Sequence, residues 1–306
     1  VASKTSIEWT DHTFNPWIGC EKVSEGCKFC YAECSTPARV SVHRGLPLWG
    51  GNAHRQVTSE GNWKLPLRWN KQAGLAGERR RVFCASLADV FEHYTGPSAE
   101  DVYKARLRLW QLIAETPHLD WLLLTKRPQN VLAMVPGAWL GFADGARSLW
   151  PRNVWIGCTV ENHERSKERL PHLLRIQAPV RFVSYEPALG PVDFTRWLPS
   201  GHCDECGEVQ ALPLMRRSRG GVTHCPACES TAIKERDRGI DWIIIGGESG
   251  PGARPFNPAW ADWTVTQCKA AGVPVFVKQM GSNPTLHDGS GWGPIRDSKG
   301  GDWSEW

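Results

Sequence analysis

The chain has 306 residues, 41% of them hydrophobic and 22% charged, with a formal net charge of +4. That length supports a large core, and the composition excludes a collagen-like repeat and wholesale disorder. No apolar run reaches the roughly 18 residues that cross a bilayer, so a membrane span is excluded and no membrane partner is expected. The first residues lack a basic flank followed by an apolar stretch, which points to the cytoplasm. The mildly basic balance is compatible with a nucleic-acid partner without demanding one. Eleven cysteines need a purpose where thiols stay reduced, and metal binding is the leading one.

The segment Asn15 to Glu33 reads NPWIGCEKVSEGCKFCYAE and sets Cys20, Cys27 and Cys30 in a C-x6-C-x2-C arrangement. A closed structural zinc site prefers four ligands. Three thiolates instead suit a [4Fe-4S] cluster that keeps one iron open for a further ligand. Zinc completed by His12, His43 or His54 is the competing arrangement. Residues 35–80 follow without a clear period, rich in Gly, Trp, His and Arg, and read as a long excursion.

Six β-rich runs come next: Arg81 to Ser86, Trp121 to Thr125, Val154 to Val160, Val180 to Ser184, Asp241 to Gly246 and Val273 to Lys278. Helical patterns fall between them at Ser98 to Glu115 and at Pro258 to Ala271, the latter stopped by Gly272. Strand, helix, strand repetition implies parallel pairing with right-handed crossovers. The expected fold is α/β, a full or partial β/α barrel. Its core would span residues 1–187 and 241–281.

Several of these strands end in polar groups: Ser86 and Asp89, Thr125 with Lys126 and Arg127, Thr159 with Glu161, Ser184 with Glu186, and Gly246 with Glu248. In β/α barrels the site lies at the carboxyl ends of the strands. Alternation puts Cys84 on the same face as Ser86, so that it would point into the barrel as a candidate catalytic thiol. It puts Cys158 on the opposite face from Thr159 and Glu161, in packing. Cys34 and Cys268 read as structural.

Residues 188–240 break the repeat as an inserted module. Cys203, Cys206, Cys225 and Cys228 form C-x2-C-x18-C-x2-C, two short knuckles that suit a closed, zinc-ribbon-like tetrahedron. A second iron–sulfur cluster is the rival occupant. Arg216, Arg217 and Arg219 lie between the knuckles. Arg79, Arg80 and Arg81, joined to a stretch with Trp49, Trp63 and Trp69, make a second basic cluster. Basic groups beside stacking surfaces hold single-stranded or flipped bases, although most of the seventeen tryptophans are expected in packing. IIIGGESGPGARP, from Ile243 to Pro255, lacks the Lys-Ser/Thr ending of a phosphate loop. Its glycines fit a tight strand end, and its Arg254 is a candidate cofactor contact. Residues 282–306 read as a polar C-terminal tail.

The cysteine triad, with aromatic Phe29 before its last member, resembles that of the radical SAM enzymes, whose usual spacing is C-x3-C-x2-C. The segments FNPWIGC, GCKFCYAE, SLADVFE, LLLTKRP, GCTVEN, SYEPALGP, GGESGPGARP and VKQ more closely resemble the phage-associated three-Cys-motif family, over about Ser6 to Gly281. The resemblance implies that Cys20, Cys27 and Cys30 hold a [4Fe-4S] cluster. The open iron would chelate S-adenosyl-L-methionine, and one electron would release a 5′-deoxyadenosyl radical.

By that resemblance Phe29 packs near the adenine and Tyr31 adds to the wall at the reacting centre. Ser86 and Asp89 meet the methionyl amine, Glu161 and Glu186 accept from ribose hydroxyls, and Lys126 or Arg127 holds a carboxylate. The electron would come from a donor such as flavodoxin or ferredoxin. The expected substrate is nucleic acid, DNA above all, in nucleobase repair or modification, with photolesion reversal as one concrete form. Two other readings stay open: a non-catalytic, zinc-dependent nucleic-acid-binding protein, and a radical peptide-modifying enzyme.

Overall fold

The computed structural model describes residues 5, 7–43, 45–141, 149–203, 205–206, 209–211, 216–217, 223–225, 227–235, 239–287 and 292–294. The chain forms two compact units, Val1–Thr159 with Arg175–Pro179, and Val160–Leu174 with Val180–Trp306.

The first unit holds strands β1 (His12–Phe14), β2 (Arg80–Cys84), β3 (Leu119–Thr125) and β4 (Val154–Thr159). They are parallel and in sequence order, with Phe14 beside Cys84, Cys84 beside Leu123 and Leu123 beside Ile156. Sequential order without reversal means that right-handed crossovers stack their helices on one face, as in a β/α barrel and unlike a doubly wound sheet. In β3, LDWLLLT is buried at six of its seven positions, the near-continuous apolar run of a strand covered on both faces.

The second unit holds β5 (Arg181–Tyr185), β6 (Trp242–Gly246) and β7 (Val275–Gln279), parallel and again in order. The seven strands therefore give a mixed α/β fold with a parallel sheet, in agreement with the expected partial β/α barrel.

Two expected helices form, α3 (Ala99–Ala114) and α5 (Pro258–Ala271); three more of eight residues or longer are described, α1 (Thr36–His43), α2 (Leu65–Ala76) and α4 (His163–Leu174). The ends of α5 follow from local chemistry. The Asn257 side chain accepts from Ala259 N, Pro258 fills the first turn, and Gly272 closes the helix at φ 64°, a conformation that glycine adopts without strain. Ser98 stands before α3, yet its hydroxyl serves another segment, accepting from Arg55 N at 2.8 Å.

Residues 35–80 are not a bare excursion. They carry α1, α2 and the short helix Glu60–Trp63, and two of their tryptophans enter the core. Trp69 stacks on His12 at 4.2 Å, and Trp63 meets Phe14 edge-on. The seventh strand, β1, has only three residues, too few to show a period.

Within residues 188–240, Ser200–Cys203 is the centre of a three-stranded antiparallel sheet between Ile233–Glu235 and Val209–Ala211, and Arg216–Arg217 pairs with Thr223–His224. Past Gly281, Thr285–His287 pairs antiparallel with Trp292–Pro294. Ser282 to Pro284 are tied back to the second unit, Ser282 N donating to Glu248 O and Asn283 O accepting from Phe256 N, and the rest of the expected tail lies outside the described residues. Among the described residues, no helix is long and apolar enough to cross a membrane.

Candidate metal centres

The first cysteine set sits on the loop that leaves β1. Asn15 ties that loop to the end of β2: its Oδ1 accepts from Leu87 N at 2.7 Å, and its amide donates to Ser86 Oγ at 3.0 Å. Gly19 N then donates to Leu87 O. Gly19 adopts φ +118°, and a Cβ there would lie 2.4 Å from Leu48 O. Only glycine lets the chain pass so close and turn this way, and the passage delivers Cys20. Cys27 is buried at the end of the turn Glu25–Cys27, and Cys30 is half-buried. Phe29 and Tyr31 are exposed, and the Tyr31 hydroxyl donates to Ser86 O at 3.0 Å.

Behind Cys20 lies a buried charge network. Arg127 Nη1 stands 3.7 Å from Cys20 Sγ and donates to Asp89 Oδ2 at 2.9 Å, while Nη2 donates to Glu21 O at 2.9 Å and lies 3.5 Å from Glu92. Asp89 also accepts from Thr125 Oγ1, Lys126 N and Phe91 N. Glu92 is held in two-point contact by Arg55, at 2.9 and 2.8 Å, with both side chains enclosed. Desolvation pushes the Cys20 thiol up to about 12; the Arg127 charge works against this rise, while Asp89 and Glu92 add to it. Burial works against the charge on Arg127, but Asp89, Cys20 and Glu92 hold its pKa above the ordinary value.

The other expected residues of this unit take distinct places. Asp89 is saturated by internal donors and orients Arg127. Ser86 is engaged by Asn15 and Tyr31. Lys126 is half-buried, while its neighbour Arg127 is the cation at the cysteine loop. Cys84 is fully enclosed, and burial raises its thiol pKa. Cys158 is buried as expected of packing, whereas Cys34 is exposed. The ring of His12 is taken up by Trp69. Arg79 pairs with Asp120, and Arg80 with Glu78.

The second unit holds three of the carboxylates expected at strand ends. Glu161 is enclosed with Arg169 at 2.9 Å. Glu186 is half-buried, accepting from Lys278 Nζ at 2.7 Å and from Gln279 Nε2 at 3.4 Å. Glu248 is buried and clamps Arg254 through its backbone N, Nε and Nη2. Of the two carboxylates assigned to ribose, solvent reaches Glu186.

The module presents the second cysteine set. Among the described residues, Cys206, Cys225 and Cys228 form a group that could hold a metal ion, with their sulfurs within 4.8 Å of one another. The Cys206 and Cys225 sulfurs are 3.6 Å apart. Tetrahedral thiolates on one ion with metal–sulfur bonds of about 2.3 Å stand about 3.8 Å apart, so the donor set fits. The 225–229 turn closes through Glu229 N to Cys225 O, with Glu229 at φ 59°. Cys203 ends the strand Ser200–Cys203; its side chain lies outside the described residues, as do those of Arg216 and Arg217 and the whole of Arg219.

Cys20, Cys27 and Cys30 are not within that 4.8 Å spacing. By donor type alone, three soft thiols on one loop would suit an iron–sulfur cluster. Arg55, Glu92, Asn15 and Gly19 escaped the sequence reading as site residues, although FNPWIGC and SLADVFE contain three of them.

Fold and site together define a parallel α/β protein with two cysteine sets, one on the loop after its first strand and one in an inserted antiparallel module. Residues 4–291 match the family described as "Protein of unknown function (DUF5131)", and the chain belongs to that family. No curated protein and no solved structure matches it.

Proposed function

We propose that the protein is a radical SAM enzyme, of the phage-associated three-Cys-motif kind, acting on nucleic acid in the cytoplasm. The observation that carries this reading is the three-thiol loop pinned to the ends of β2 and β3, with the Arg127 guanidinium set against Cys20. Cys20, Cys27 and Cys30 would hold a [4Fe-4S] cluster. The chemistry such a cluster supplies is one-electron reductive cleavage of S-adenosyl-L-methionine, the source of a hydrogen-abstracting 5′-deoxyadenosyl radical.

The chain's own residues bind and orient. Phe29 and Tyr31 offer an aromatic wall beside the loop, and the Tyr31 hydroxyl fixes that wall to Ser86. Asp89 holds Arg127 in place. Glu186 keeps acceptor capacity for a hydroxyl, and Arg254 is held by Glu248. An electron donor such as flavodoxin or ferredoxin would complete the system. Cys206, Cys225 and Cys228, with Cys203, would hold zinc that folds the module. DNA is the substrate class we favour, in nucleobase repair or modification including photolesion reversal. The basic sequence clusters support it, while the burial of Trp63 and Trp69 removes those two from any stacking surface.

The test is anaerobic reconstitution with iron and sulfide, then dithionite and S-adenosyl-L-methionine, with chromatography for 5′-deoxyadenosine. Product that disappears in Cys20→Ala, Cys27→Ala and Cys30→Ala variants is expected. Absence of product from an iron-loaded, reduced protein would sink the reading. DNA affinity should also fall steeply with salt if phosphates are contacted, and a flat response would remove DNA.

A further inference from the structure

Arg127 joins the first cysteine set to the buried charge network. Its guanidinium is fixed on several sides: Nη1 to Asp89 Oδ2 at 2.9 Å, Nη2 to Glu21 O at 2.9 Å, and Nη2 within 3.5 Å of Glu92. Its backbone is fixed as well, donating to Thr125 Oγ1 at 2.8 Å, and that hydroxyl in turn donates to Asp89. What remains of the fork points at Cys20 Sγ, 3.7 Å from Nη1. The contact to Glu21 O grips the residue next to Cys20, so the cation holds both the ligand atom and the backbone that presents it.

We propose that Arg127 is a positioning residue that orients Cys20 toward the cluster and sets the cluster's reduction potential. This rests on reading the first cysteine set as iron–sulfur ligands. The physical reason is direct. Reduction adds a negative charge to the cluster, and a positive charge with an N–H aimed at a ligand sulfur stabilises the reduced state more than the oxidised one, raising the potential. Only the planar guanidinium reaches Asp89, Glu21 and Cys20 together, whereas a lysine keeps the charge and loses the fork. Asp89, Thr125 and Glu92 act through Arg127 by denying it other orientations.

The experiment uses the full chain, reconstituted anaerobically, in three forms: unchanged, Arg127→Lys, and the double variant Arg127→Gln with Asp89→Asn. The double variant removes opposite charges together, so that neither is left buried without a partner. Iron content, the cooperative melting transition and an electron-spin-resonance redox titration are read on each. The double variant should show a more negative midpoint, with about a tenfold change in the reduction equilibrium, or about 59 mV for one electron. Arg127→Lys should fall between the two.

Loss of iron from a folded Arg127→Lys variant would support the orienting role. Midpoints equal to that of the unchanged protein in fully iron-loaded variants would overturn the proposal; should the double variant not fold, Arg127→Lys alone decides. An unchanged protein that takes up no iron would overturn the iron–sulfur reading, and the proposal with it.

Discussion

Cys206, Cys225 and Cys228 stand within 4.8 Å of one another in a module of two- to four-residue strands. Cys20, Cys27 and Cys30 are spread along a loop held from outside, by Asn15, by the tight passage at Gly19 and by Arg127. In the module the thiols themselves would be the organising element, since a unit this small would gain its folding free energy from an ion bound there. In the loop the scaffold comes first, and the thiols are carried on it. One set should therefore depend on metal to fold, and the other should be folded whether or not metal is present.

That contrast can be broken most forcefully in the module. Cys225→Ser should release its metal and open residues 188–240 to protease, because structural zinc in comparable units contributes about 10–16 kcal/mol of apparent binding free energy. The melting of the first unit should be untouched. Equal protease resistance with and without chelator would contradict a metal-folded module.

A smaller but still large effect is expected behind the loop. Arg55→Ala leaves Glu92 buried without its two-point partner and strips donors from Leu48 O, Gly50 O and Ala53 O. Stability should fall by about 3–5 kcal/mol in urea unfolding, with the module's metal retained. Gly19→Ala, at φ +118°, should cost about 1–3 kcal/mol and lower iron uptake by displacing Cys20; an alanine variant with normal stability would show that the passage is looser than described. Lys104→Ala, in a pair on the exposed face of α3 with Glu100, should leave the melting temperature unchanged and serves as the control.

The parallel strands were legible because their apolar runs are long and punctuated, and α5 because its cap, first-turn proline and stop glycine all lie in sequence. The strand His12–Phe14 is too short to carry a period, and α2 has no capping side chain at its start and carries Gly74 within it, so neither is visible without its partners. The cysteine spacings identified both thiol sets. The burial of Trp63 and Trp69 was not legible, since a tryptophan in a basic stretch looks the same whether it faces bases or Phe14. Nor was the Arg55–Glu92–Arg127–Asp89 network, because its members lie up to 72 residues apart and only the fold brings them together.

The two cysteine sets are proposed to hold different metals, and elemental analysis tests this on the anaerobically reconstituted protein beside two variants, one lacking Cys20, Cys27 and Cys30 and one lacking Cys203, Cys206, Cys225 and Cys228. Iron and zinc are expected in the unchanged protein, with loss of iron alone from the first variant and loss of zinc alone from the second. A single metal in both sites, or the loss of both metals from either variant, would contradict it.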